Sequence, residues 1–474
     1  MNDKPNILLI ITDQQRWDSL GCYGVDFANT PNLDKLASQG TVFENCYVSN
    51  TVCTPSRACM MTGKNIYGHG VYRLYDTLPD DEILFPKHLQ EQGYQTALFG
   101  KLHVSTHTVE RDYRHPNDGF DVYEMCHEPG YNMESKYQSY ARWLKEKSPE
   151  YYQQLQKNVR LPNVPEEYHM THWAAERTID YLDNYNGEKP FFCMMSVFDP
   201  HDPYDDCPPA FTDLVKPEKI PPPQARISNN EPADIDRDRR GGCTPWYEHS
   251  MAEIREMRHG YHSSIAFLDH ETGKVLEALE RNNLTENTLV IFTSDHGDML
   301  GDHNLIAKGA FFYDPCTKVP LLIRWPAKIT PHQREHKLVQ NIDLAATVLA
   351  TAGIDEEEIK KLMPEAYDIF DNDPPREGAF CAYRNTGTCR YSETRYFSPE
   401  INATMVRNKR FKYNLYYNAS SGAPAGEELY DMDNDPLEFD NLALKPEYAG
   451  IKKQLGNQIE KFIAGEKSSR GRNI

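Results

Sequence analysis

Asn6-Ile7-Leu8-Leu9-Ile10-Ile11-Thr12-Asp13-Gln14 is the stretch that decides the fold. Its aliphatic residues run without polar alternation, which is the pattern of a strand buried on both faces. It stops on a carboxylate and an amide. Four further apolar runs of strand length follow, at 95–99, 191–198, 289–293 and 319–324. Helical periodicity falls between them, at 30–39, 86–92, 171–184, 251–282 and 342–352. Strands alternating with helices predict an α/β fold: a mostly parallel sheet flanked by helices. Polar residues follow three of the strands at once: Asp13, then Asp199 and His201, then Asp295 and His296. Ligands of open α/β sheets bind beyond the carboxyl ends of the strands, so these residues mark the expected site.

Beyond this sheet the pattern changes. Segments 216–245 and 355–377 read as loops or insertions, the first rich in Pro, Asp, Arg and Gly. Short alternating strands at 379–383, 403–407 and 409–417, a turn at 431–436 and an amphipathic helix at 446–464 then predict a small α+β unit. The expected division is a catalytic domain over 1–372 and a C-terminal subdomain over 373–474. A chain of 474 residues is long enough for two cores.

Composition narrows the partners. With 39% hydrophobic and 26% charged residues the chain reads as a soluble globular protein. A net charge of −20 disfavours nucleic acid and anionic membranes. An anionic substrate then needs local positive charge. The run 7–11 is too short for a membrane span or a signal-peptide core, so the expected location is cytoplasmic, or periplasmic or secreted if a leader has been removed. The 11 cysteines include no CxxC pair and suit a reducing compartment. Composition does not address the oligomeric state.

The site residues carry the chemistry. Asp13 and Gln14 offer oxygen ligands for a hard cation, or else a capped turn. Ser294-Asp295-His296-Gly297-Asp298 adds a carboxylate and a borderline nitrogen ligand. Cys53-Thr54-Pro55-Ser56-Arg57 opens a helix-compatible segment whose backbone N–H groups suit an anion. Gly63-Lys64 lacks the upstream glycine of a P-loop, and no GxSxG elbow occurs. His169, His172, His259 and His262 read as a polar helix face. Tyr67, Tyr72 and Tyr75, near His69 and Arg73, read as packing or as a substrate mouth.

Cys53-Thr54-Pro55-Ser56-Arg57 resembles the Cys-x-Pro-x-Arg modification motif of the formylglycine-dependent sulfatases, within the alkaline phosphatase superfamily. The resemblance extends along the chain. It takes in the opening strand with Asp13, Gly100-Lys101-Leu102-His103, Asp199-Pro200-His201-Asp202-Pro203-Tyr204, Lys308-Gly309 and the closing turn Leu429 to Ala443. It implies an alkaline-phosphatase-like fold and hydrolysis of a small-molecule or saccharide sulfate ester. It implies that a formylglycine-generating enzyme oxidises Cys53 to formylglycine, whose hydrate supplies the nucleophile. Asp13, Gln14, Asp295, His296 and residue 53 would hold one divalent cation, Ca²⁺ first and Mn²⁺ as the alternative. Lys101 and Lys308 would neutralise sulfate oxygens, and Arg57 would hold the diol. His201 would protonate the leaving alcohol, with Lys308, and His103 would take the proton from the remaining hydroxyl. Many sulfatases carry Asp-Asp and Asp-Asn where this chain has Asp13-Gln14 and Asp295-His296. The forms seen here occur in branches with choline-sulfatase-like enzymes and phosphonate monoester hydrolases. A phosphonate monoester or phosphodiester substrate is therefore the alternative, and a non-catalytic binding protein the second.

Overall fold

A computed structural model describes residues 4–242, 244–371, 375–385, 397–418 and 420–470. The opening run forms β1 (Asn6–Thr12), and all seven of its residues are buried. It pairs in parallel with β5 (Phe191–Ser196) on one side and β6 (Thr288–Ser294) on the other. The remaining strands of this sheet are β2 (Thr41–Tyr47), β3 (Gln95–Gly100), β4 (Val122–Met125), β7 (Lys318–Val319), β8 (Leu321–Arg324) and β9 (Gln333–Gln340). Their order is β4-β3-β5-β1-β6-β8-β2-β7, with β9 on β2.

Side chains of a strand alternate between faces, and β1 shows the result. Ile7, Leu9 and Ile11 enter one apolar cluster, together with Leu344, Ala345 and Val348 of the helix Asp343–Thr351. Leu8 and Ile10 enter the other, with Trp173, Tyr261, Ile265 and Leu268 of the helices Met170–Asp183 and Met251–Arg281. The predicted run 319–324 is two strands, because Pro320 between them has no N–H to give the ladder.

The second sheet is an antiparallel meander of β10 (Ala379–Arg384), β11 (Asn402–Arg407), β12 (Phe411–Tyr417) and β13 (Pro424–Asp431). The helix Ala449–Arg470 covers it through Leu455 and Ile459. Ala379, Cys381, Tyr383 and Met405 belong to the same apolar cluster as β1, so one core runs through both sheets. Residues 372–374, where the sequence suggested a boundary, lie outside the described residues. Segments 216–245 and 355–377 are not wholly loop: they contain the helices Ala233–Gly241 and Glu356–Leu362. Among the described residues no helix is long and apolar enough to cross a membrane.

Candidate active site

Three parallel strands deliver their ends to one place. Asp13 follows β1, Asp295 follows β6 and Lys101 follows β3. Gly100 permits this, because a Cβ there would lie 1.8 Å from the Ser196 carbonyl oxygen of β5. The helix Cys53–Thr62 has Cys53 as its first residue and Pro55 in its first turn, where a missing N–H costs nothing.

The sequence-predicted residues come together around Asp13. Its Oδ2 accepts from Lys101 Nζ at 2.6 Å and from Arg57 Nη2 at 3.2 Å. Its Oδ1 lies 3.7 Å from Cys53 Sγ and 3.9 Å from His201 Nε2, His296 Nε2 and Lys308 Nζ. Lys308 Nζ donates to Cys53 Sγ at 2.7 Å and lies 2.8 Å from His201 Nε2 and 3.2 Å from His296 Nε2. Cys53 is 2% exposed.

Arg57 differs from the sequence expectation. Its Nε donates to Asp295 Oδ2 at 2.7 Å, and its Nη1 to the Lys101 carbonyl and Ser196 Oγ. With Asp13 on Nη2, the guanidinium clamps two carboxylates rather than the side chain of residue 53. His103 likewise engages the neighbour of Cys53: its Nε2 lies 3.0 Å from Thr54 Oγ1.

Burial alone would favour the neutral acid at Asp13. Lys101, His201, Lys308 and Arg57 outweigh it and hold the carboxyl well below the usual range. Burial opposes charge on His201, but Asp202 foremost, with Asp13, raises its pKa above the ordinary value against Lys308. His103 goes the other way: burial, then His107, Lys101, His127 and Arg57, push it well below.

Asp13, Cys53, Asp295 and His296 each offer a ligand atom, all within 4.8 Å of one another. His296 Nδ1 lies 2.9 Å from the Gly297 carbonyl, which fixes the tautomer that leaves Nε2 as an acceptor. Gln14 adds a telling detail. Its Nε2 donates to Asp298 Oδ2 at 2.6 Å, while its buried Oε1 has no partner among the described residues. An unclaimed amide oxygen beside two carboxylates and an imidazole fits an oxygen-preferring divalent cation.

Sequence reasoning missed the supports. Asp298 also accepts from Tyr204 Oη at 2.5 Å and from the Leu300 and Ala307 amides. Both residues stood inside quoted motifs, without a role. Asp238, from the helix Ala233–Gly241, accepts from the Ala310 amide at 2.6 Å. A Cβ on Gly309 would meet the Asp238 carboxylate at 2.0 Å, which explains the glycine after Lys308. Nothing in the sequence pointed to that pairing. His169 and His262 are buried, not a polar face: His169 caps its helix by accepting from the Thr171 amide. Tyr67 and Tyr72 pack on each other, whereas Tyr75 lines the cavity.

That cavity, of about 690 Å³, opens over Cys53, Lys101, His103, His201 and Lys308. Segment 216–245 contributes Asp238, Arg239, Gly242 and Thr244 to its wall. Arg384 is turned inward, donating to the Ala403 carbonyl and standing over Tyr67, and residues 386–396 lie outside the described residues.

A doubly covered sheet with such a cluster at its carboxyl edge defines a hydrolase of the alkaline phosphatase superfamily. The chain belongs to the sulfatase family, a family of sulfuric ester hydrolases: residues 5–354 match it. Residues 301–465 match the family described as N-sulphoglucosamine sulphohydrolase, C-terminal. An arylsulfatase of Clostridium perfringens is 28% identical over 99% of this chain and 98% of its own. An N-acetylglucosamine-6-O-sulfatase of Bacteroides thetaiotaomicron is 25% identical over 96% of this chain and 86% of its own. Among solved structures, a phosphonate monoester hydrolase of Agrobacterium radiobacter shares the fold, with a TM-score of 0.78 at 23% identity over 98% of this chain and 96% of that one.

Proposed function

We propose that the protein hydrolyses a small-molecule or saccharide sulfate ester to alcohol and sulfate, with a nucleophile made by oxidising Cys53 to formylglycine. The observation that carries this reading is the setting of Cys53: at a helix start, on the cavity, with Lys308 at 2.7 Å, His296 at 3.2 Å and Asp13 at 3.7 Å. The names of the Clostridium and Bacteroides relatives agree with it.

Asp13, Gln14, residue 53, Asp295 and His296 would hold one divalent cation, Ca²⁺ first and Mn²⁺ as the alternative. When bound, it supplies positive charge beside the ester oxygens and acidifies the nucleophile. Lys101 and Lys308 place fixed positive charge where the sulfate oxygens gather, in a site already shielded from water. His201 is set to hold the proton for the departing alcohol oxygen: its Nδ1 side is fixed by Asp202 and its Nε2 side faces Lys308. His103, neutral and held through Thr54, accepts the proton from residue 53 in the return step. Arg57 orients both carboxylates.

Turnover of an aryl sulfate and an aryl phosphonate monoester, run side by side, tests the proposal. Sulfate release should dominate, and the peptide containing residue 53 should carry an aldehyde by mass spectrometry. A large preference for the phosphorus ester would overturn the substrate class. An intact thiol at residue 53 in fully active protein would overturn the mechanism.

A further inference from the structure

Beside the cluster just described stands a second group of ligating side chains. His103 follows β3, His107 opens the turn His107–Glu110, and His127 follows β4. The His107 and His127 rings stack at 4.7 Å, and the His103 ring meets them edge-on at 4.4 and 5.1 Å. One nitrogen of each ring lies within 4.8 Å of the other two. His103 and His127 are 1% and 2% exposed.

His103 has one ring nitrogen engaged and one open, and neither nitrogen of His127 has a hydrogen-bond partner among the described residues. His103 Nε2 is engaged by Thr54 Oγ1, and its Nδ1 has no partner among the described residues. His127 Nε2 lies 2.7 Å from Glu110 Oε2, close enough for an ion pair though not aligned as a hydrogen bond, and its Nδ1 is likewise without a partner among the described residues. Glu110 is itself fixed, its Oε1 accepting from the Ser105 amide at 2.9 Å. A carboxylate on the far nitrogen of an imidazole is how metal-ligating histidines are oriented. Burial and neighbouring positive groups hold His103 and His107 neutral, the latter pushed down to about 2. Neutral imidazole is the ligand form.

We propose that His103, His107 and His127, backed by Glu110, form a second metal site, distinct from the Asp13–Asp295 cluster and selective for Zn²⁺ over Ca²⁺. Three imidazoles and no first-rank oxygen favour a borderline transition ion. Tetrahedral Zn²⁺ needs its nitrogens about 3.4 Å apart, so the rings close inward on binding. The fourth position is open to solvent or ligand on the cavity that His103 and His107 line. The consequence for turnover rests on the role proposed above for His103. An imidazole that binds Zn²⁺ through Nδ1 keeps its proton on Nε2 and cannot accept another. Zinc therefore inhibits by removing the base, without displacing the catalytic cation.

Zinc and cobalt are titrated into the Ca²⁺-loaded enzyme and into His127→Gln, His107→Gln and Glu110→Gln, with circular dichroism as the check on folding. The wild type should take up one ion at these histidines, give the visible absorption of Co²⁺ bound to nitrogen, and lose turnover by at least about 10-fold. His127→Gln and His107→Gln should keep turnover in zinc-free buffer and lose both the absorption and the inhibition. Glu110→Gln should weaken uptake by about 10- to 100-fold. Co²⁺ absorption unchanged in a folded His127→Gln or His107→Gln variant would overturn the site, as would zinc inhibition relieved by excess Ca²⁺. Uptake that depends on the histidines in a protein that releases no sulfate would uphold this site while refuting the sulfatase reading. An active enzyme that takes up no zinc would do the reverse.

Discussion

Lys308 and Lys412 are both withdrawn from solvent beside carboxylates, yet they serve different ends. Lys412, on β12, donates to the Phe312 carbonyl at 2.9 Å and to Asp314 at 2.5 Å, and pairs with Glu438 at 2.7 Å. Two hydrogen bonds and an ion pair surround its ammonium group, and its exposure is zero. Burial pushes Glu438 up to about 8 even so, since Asp314 and Glu438 share one lysine. Lys308 instead faces a thiol and two imidazoles, and it borders a cavity. Saturated partners make a buried charge part of the framework. Partners that exchange protons, next to open space, make it part of a reaction.

The contrast can be broken from the catalytic side first. Cys53→Ala should lower turnover by on the order of 10⁵-fold, as loss of a nucleophile does, while the thermal midpoint holds. Retained rate in that variant sinks the assignment. Chelation should bring the enzyme to background, with Ca²⁺ or Mn²⁺ restoring it. Activity that survives exhaustive chelation would show that the cluster around Asp13 needs no ion. Lys308→Ala should cost roughly 10² to 10³ in kcat at unchanged stability. Lys412→Met should do the converse, losing about 3 to 5 kcal/mol because Asp314 and Glu438 are left buried and unpaired. Denaturant midpoints and specific activity per folded molecule separate the two, and equal behaviour of both variants would erase the distinction.

The smallest expected effect concerns His303, stacked between Tyr313 at 3.7 Å and Phe439 at 4.6 Å. Burial lowers its pKa to about 4. The unfolded chain then binds the extra proton between about 6.5 and 4, so stability falls as pH falls through that window and is flat above it. The contribution is up to about 3 kcal/mol. Asp269, pushed by burial to about 6, acts in the opposite direction, so the comparison must be with His303→Phe. Identical acid profiles for the two proteins would refute the prediction.

Legibility in the sequence followed burial. β1, β5 and β6 are apolar on both faces and stood out. β2 did not, because Glu44 and Asn45 interrupt its apolar residues at half-buried positions. β13 contains Pro424, Gly426 and two glutamates, poor strand formers, and is held as an edge by its ladder to β12. At the site, residues just after strands were readable, as with Asp13 and Asp295, whereas Lys101, which follows β3, entered only through the family resemblance. Relations across strands were not. His127 neighbours His103 only because Gly100 pairs with Met125, which places the two chain segments beyond adjacent strand ends. Arg57 was found, but its partners came from four other segments and could not be read from its motif.

The Gln14 amide, held by Asp298 and Tyr204, also constrains how this lineage of sites can change. Replacing Gln14 by Asp, to reach the Asp-Asp form, would bring a new carboxylate towards Asp298, which now accepts a hydrogen bond from the amide, and would remove that donor. The two positions are therefore coupled through one hydrogen bond, and a change at either alone leaves the other without its partner. A double exchange, with Asp298 made a donor as Gln14 becomes an acid, is the route open to evolution or to a designer.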